Sequence, residues 1–178
     1  RVLDEKDIYY SGLVSGIEFI KNGVTTVVDH HASGKIKGSL NLLRRALCDY
    51  LGIRGIFCFE SSDRFSLDEC IGENLEFSKN SSSMARGLFG MHACLTLSDE
   101  SLKKIAEKSK GIPIHIHVGE SDEDNIESIK KYSKTPIERL EEYGLLRENS
   151  ILSHCIYLSE SDMNILKKHK IYVALNPT

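Results

Sequence analysis

The sequence has 178 residues, 40 % of them hydrophobic and 28 % charged, with a formal net charge of -3. That apolar share suffices for a sizeable core, and the slight acidity lacks the basic stripe that a nucleic-acid partner requires. No run is long and apolar enough to span a bilayer, and no leader pattern opens the chain, so neither a membrane nor a secretory role is expected.

The chain opens at Arg1 rather than a methionine, which places the expected natural start upstream. Its five cysteines, at 48, 58, 70, 94 and 155, show no paired spacing. Several lie in apolar runs such as Ile56-Phe57-Cys58-Phe59, the setting of reduced, buried thiols and a cytoplasmic protein.

Taken in order, Leu13, Ile17 and Ile20 mark the apolar face of a first helix, and Gly23 ends it. Short β-branched runs at 24–29, 54–60 and 88–92 read as strands bounded by Gly, Ser or Asn. Ser98-Asp99-Glu100 opens a helix with two carboxylates at its positive end. A strand at 112–118 follows, and then Thr135-Pro136-Ile137-Glu138, a capping box with proline at the first helical position, closed by Gly144. The strand at 150–154 precedes a helix opened by Ser159 and Asp162, with Met163 and Leu166 facing inward, and 171–175 forms a last strand.

Six strand-helix alternations imply a parallel sheet with helical crossovers. Polar residues close strand after strand: Asp29-His30-His31, Glu60-Ser61-Ser62-Asp63, His92, His117 to Glu120, His154 and Asn176. An open sheet gathers its site at one switch point, whereas a barrel draws chemistry from many strand ends. The expected fold class is therefore α/β, a fragment of a (β/α)8 TIM-type barrel covering approximately strands 2 to 7. Because such barrels need about 250 residues, residues 1–178 are expected to form one partial barrel domain, truncated at both ends.

The sharpest motif is His115-Ile116-His117-Val118-Gly119-Glu120. Residues two apart on a strand share a face, so both imidazoles point inward, with His117 nearer the rim and Glu120 just past it. Neutral imidazole suits zinc or ferrous iron, and a nearby carboxylate can shuttle a water proton. Two core histidines and a solvated glutamate would explain the same motif. His154, at the end of the next strand, and His92, at the end of the preceding one, strengthen the metal reading.

With these residues the chain resembles the deaminase and chlorohydrolase branch of the amidohydrolase superfamily, which includes guanine, S-adenosylhomocysteine and cytosine deaminases. In appearance it is most similar to the aminohydrolases associated with selenium metabolism. The matching stretches are Gly23 to His31, Gly90-Met91-His92-Ala93, His115 to Glu120, Ser153-His154-Cys155 and Asn176-Pro177-Thr178, in family order over nearly the whole chain. The resemblance implies metal ligands at His117 and His154, proton transfer by Glu120, substrate contact by His92 and a structural role for His115. The family's strand-one His-x-His and strand-eight aspartate are absent, so the segment alone is expected to be inactive. Lysine is absent after His92 until Lys103, where two-metal relatives carry a bridging one, which implies one divalent ion, zinc first and iron second. Tyr157 stands where relatives often carry a further histidine.

The expected function is metal-dependent hydrolysis of carbon–nitrogen bonds other than peptide bonds, most simply deamination of a small cyclic or amidine-type substrate. The alternatives are a chlorohydrolase or cyclic-amide hydrolase on the same site, or a catalytically inactive barrel subunit. The partner is a small-molecule substrate, with no nucleic acid and no membrane, and a homodimer is allowed. Asp63-Arg64 and Arg86 could meet a polar substrate or sit in salt-bridged loops, and only one of His30 and His31 can face inward. His169, among lysines, reads as a solvated helix end.

Overall fold

The computed structural model describes residues 3–176, so Pro177 and Thr178 of the last motif lie outside the described residues. It divides into two compact units, one running to Glu60 and taking in Asp68–Phe89, the other comprising Ser61–Leu67 and the chain from Gly90 onward. No described helix is long and apolar enough to cross a membrane.

The first unit begins with α1 (Glu5–Lys21), whose N-cap Asp4 forms a capping box with Asp7. The expected apolar face is not the buried one: Ile17 and Ile20 are 46 % and 50 % exposed, and Ile8, Gly12 and Gly16 are buried instead. The reason is close approach. A Cβ on Gly12 would stand 3.0 Å from Ala46 Cβ, so the glycine stripe admits the neighbouring helical segment where side chains would not fit. That segment is α2 (Ser39–Arg44), continued by a π-helical turn at Arg45–Tyr50. The strands β1 (Thr26–His31), β2 (Arg54–Phe59) and β3 (Ala85–Gly87) form a parallel sheet in that order. Phe57 packs edge-on against Phe77 of α3 (Leu67–Lys79), and Asn74 of α3 exchanges two 2.9 Å hydrogen bonds with the backbone of Phe59.

In the second unit the parallel strands β4 (Phe89–Ala93), β5 (Ile114–Val118), β6 (Ile151–His154) and β7 (Tyr172–Ala174) lie in sequence order. The strand expected at 88–92 is longer than its apolar run and is broken at Leu88 into β3 and β4. Ser98 caps α4 (Asp99–Lys108), α5 spans Asp122–Tyr132, and the capping box of Thr135 and Glu138 opens α6 (Pro136–Glu142). Ser159 and Asp162 form the capping box of α7 (Glu160–Leu166), as the sequence indicates, but Met163 is 46 % exposed and only Leu166 is buried. Ile114, Ile116 and Leu152 are fully buried with Leu102, Ile105 and Leu140, each worth about 1.5–3 kcal/mol of transfer free energy.

Candidate functional site

The site is built on the C-terminal ends of β4, β5 and β6. His115 and His117 lie on one face of β5, while Ile116 between them is fully buried among apolar groups. His115 shares a 2.9 Å hydrogen bond with Ser153 Oγ, and burial, aided by the charge of His117, lowers its pKa to about 4. One residue pair farther along, His117 points its Nδ1 at the carbonyl oxygen of His92, 2.8 Å away. A carbonyl only accepts, so Nδ1 carries the hydrogen and Nε2 keeps its lone pair.

His154 reaches the same place by a different route. In register Ser153 pairs with His117 and His154 with Val118, so plain alternation would turn His154 to the opposite face. Instead His154 and Cys155 adopt left-handed backbone, φ 72° and 55°, and the turned ring stands 5.6 Å, centroid to centroid, from that of His117. Non-glycine residues in this region cost on the order of 1–3 kcal/mol each, and such strain gathers at functional sites.

Glu120 follows β5 on an exposed turn, with Oε2 3.8 Å from His154 Nε2. Its turn is tied down on both sides. The Gly119 N–H donates to Asp124 Oδ2 at 2.8 Å, while the Gly119 carbonyl accepts from Ile156 N and Tyr157 N, both at 3.0 Å. Gly119 is at φ 58°, and a Cβ there would stand 3.1 Å from the Tyr157 carbonyl oxygen, so a side chain would be both strained and crowded. Ala93, Leu95, His117, Glu120, Ser121 and Asp124 line a cleft of about 50 Å³.

His92 closes the group. Thr96 Oγ1 donates to Ala93 O at 2.8 Å, so its 3.0 Å contact with His92 Nδ1 is one in which the ring donates. The His92 and His117 rings are 6.0 Å apart at a steep angle. All four site residues expected from sequence, His92, His117, Glu120 and His154, therefore converge.

Others do not join them. Asp63 accepts Ser98 N at 2.8 Å and Ser101 Oγ at 2.6 Å, and so caps α4. Arg86 is exposed on β3. His31 binds Ser33 Oγ at 3.0 Å, with its ring edge on Phe59, and His30 Nδ1 lies 3.6 Å from Cys58 Sγ. His169 is not simply solvated, since its Nε2 is 2.6 Å from Glu141. Thr96 and Asp124 escape the sequence reading. Asp124 is only 4 % exposed, and burial pushes its carboxyl pKa up against the pull of the Gly119 N–H and of Arg139. In sequence it is one of three acids opening α5, a pattern that suits the positive end of any helix and does not single Asp124 out.

The two imidazoles fit a divalent ion. His117 is oriented through its second nitrogen, as ligating histidines characteristically are, and His154 has been turned out of its strand toward it.

A model of the amidohydrolase family matches residues 2–178. A 5-methylthioadenosine/S-adenosylhomocysteine deaminase of Desulfitobacterium hafniense (strain DSM 10664 / DCB-2) is 33 % identical over 183 residues, covering 98 % of this chain and 41 % of its own. The chain thus spans about two fifths of the length of such relatives. Among solved structures, an adenosine deaminase of Xanthomonas campestris with bound zinc matches with TM-score 0.83 at 19 % identity, covering 97 % of this chain and 40 % of that one. A zinc complex of the atrazine chlorohydrolase of Arthrobacter aurescens matches with TM-score 0.83 at 18 % identity, covering 96 % and 42 %. The fold is that of part of a metal-dependent hydrolase barrel.

Proposed function

From the premise that this chain belongs to the amidohydrolase family, we propose that it carries the metal and proton-transfer half of a hydrolytic deaminase site. The observation that carries this reading is the convergence of His117, His154 and Glu120. The alternation-breaking turn at His154 carries its ring to that of His117.

On this reading His117 Nε2 and His154 hold one divalent ion, which supplies the Lewis acidity that makes a water nucleophilic near neutral pH. Zinc is the ion we assign, supported by the zinc in the two solved relatives. Glu120, on its tethered turn, takes the proton of the attacking water and delivers it to the departing nitrogen. His92, oriented by Thr96, holds the substrate at the same rim. The substrate class we assign is an adenosine altered at the 5′ position, because the curated relatives are named for such substrates.

The second reading, loss of halide, has the chlorohydrolase fold likeness in its favour. One experiment separates the two: the full-length protein, loaded with zinc, is assayed for ammonia and for chloride release against 5′-substituted adenosines and chlorotriazines. Ammonia from the nucleosides supports deamination, and chloride alone supports the alternative.

A further inference from the structure

Arg139 is fully buried, the largest side chain to be so among the described residues. It sits on α6 between the apolar Ile137 and Leu140, also fully buried. Every nitrogen of its guanidinium has a partner. Nε donates to Asp99 Oδ1 at 2.9 Å, with Nη2 2.8 Å from the same oxygen as an ion pair, Nη1 donates to Cys94 O at 2.8 Å, and Nη2 donates to Leu97 O at 2.7 Å. Tyr132 stacks its ring 3.7 Å from the guanidinium carbon.

Burying a cation costs several kcal/mol before its partners offset it, and a well-packed apolar residue often stabilises a fold as much or more. Stability alone therefore does not account for this choice. The geometry supplies another reason. Cys94 and Leu97 bracket the single turn after β4, and Thr96 within that turn holds the His92 ring at 3.0 Å. The carbonyl of His92 in turn holds His117 at 2.8 Å. A planar fork meeting two carbonyls fixes the turn in a way a point charge would not.

We propose that Arg139 is a positioning residue for the reaction: it clamps the turn at residues 94–97 and thereby fixes His92 and His117. The inference rests on the functional reading above, and its test has a readout that does not.

The full-length protein is prepared with cobalt(II) in the metal site, as parent, Arg139→Lys and Arg147→Lys. Arg147 is the control, a guanidinium that caps the end of α4 through Ser109, Ile112 and Ala106 without touching the turn after β4. Arg139→Lys is expected to shift the visible cobalt bands and to lower kcat at least about tenfold per bound metal, since misplacements near 1 Å cost up to about 100-fold. Arg147→Lys should lower the melting temperature and leave both unchanged. A parent-like cobalt spectrum and kcat within twofold in folded Arg139→Lys would overturn the proposal and leave Arg139 a packing residue. Should that variant not fold, Thr96→Val cuts the same chain one link later: shifted cobalt bands support the proposal, and parent-like bands with parent-like kcat overturn it. A parent without turnover would defeat the functional reading alone, while the cobalt spectra would still decide this one.

Discussion

His117 donates its Nδ1 hydrogen to the carbonyl oxygen of His92 across 2.8 Å, and this bond joins the ends of two neighbouring strands into one device. It commits one ring nitrogen and leaves the other, so the tautomer is set by backbone rather than by whatever ligand arrives. Glu120 stands outside that bond, on a turn of its own, so the group we propose to move protons is separate from the groups we propose to bind.

That separation predicts the behaviour of Glu120→Gln. Glutamine keeps the shape of the side chain but can neither take up nor release a proton, so the full-length variant should retain its metal while turnover falls by roughly 100-fold or more. Metal analysis and steady-state kinetics on one preparation check this. Near-normal turnover with full metal content would remove Glu120 from the mechanism.

Two glycines with left-handed backbone make a matched pair. Gly144, at φ 64°, has open space around its missing Cβ, whereas Gly119, at φ 58°, faces the Tyr157 carbonyl at 3.1 Å. Gly144→Ala should cost about 1–2 kcal/mol of stability from backbone strain and leave turnover alone. Gly119→Ala should cost more and also lower turnover, because its turn carries Glu120. Urea midpoints and kcat for both variants decide it, and equal losses of stability with unchanged kcat would contradict the account.

Burial on β1 sets up two opposing pH dependences. Burial lowers the pKa of His31 to about 4, so its contribution is full above the unfolded value near 6.5 and is lost as pH falls toward 4. Burial raises the pKa of Asp29 to about 6, so its contribution is full below the unfolded value near 3.8 and is lost as pH rises through 6. Each is worth on the order of 3 kcal/mol, and across pH 4 to 6 they offset one another. Relative to the parent, Asp29→Asn should therefore lose stability between pH 7 and pH 4.5, and His31→Gln should gain it. Denaturation midpoints for both variants that track the parent across this range would show that neither group titrates as its burial implies.

Much of this was legible in the sequence, and the gaps have physical causes. The capping boxes at Thr135 and Ser159 stand where the sequence sets them, because a side chain three residues from its partner is a local matter. The buried face of α1 differs from its apolar one, since glycines carry no hydrophobic signal and their value lies in what a distant segment presents. His154 was found at its strand end, but its turn into the site rests on a left-handed backbone that strand periodicity cannot supply. Arg139 left no trace, because a cation within an amphipathic helix reads as solvated until the carbonyls of Cys94 and Leu97 are seen beneath it.

The central claim is hydrolytic deamination that depends on one divalent ion, and metal content read together with ammonia release tests it most directly. The full-length protein should hold about one zinc or iron per chain, release ammonia from a 5′-substituted adenosine, stop when a chelator removes the metal, and resume when one equivalent of zinc is returned. Ammonia release that persists in fully demetallated protein, or a metal-loaded protein that releases none from any such nucleoside, would contradict it.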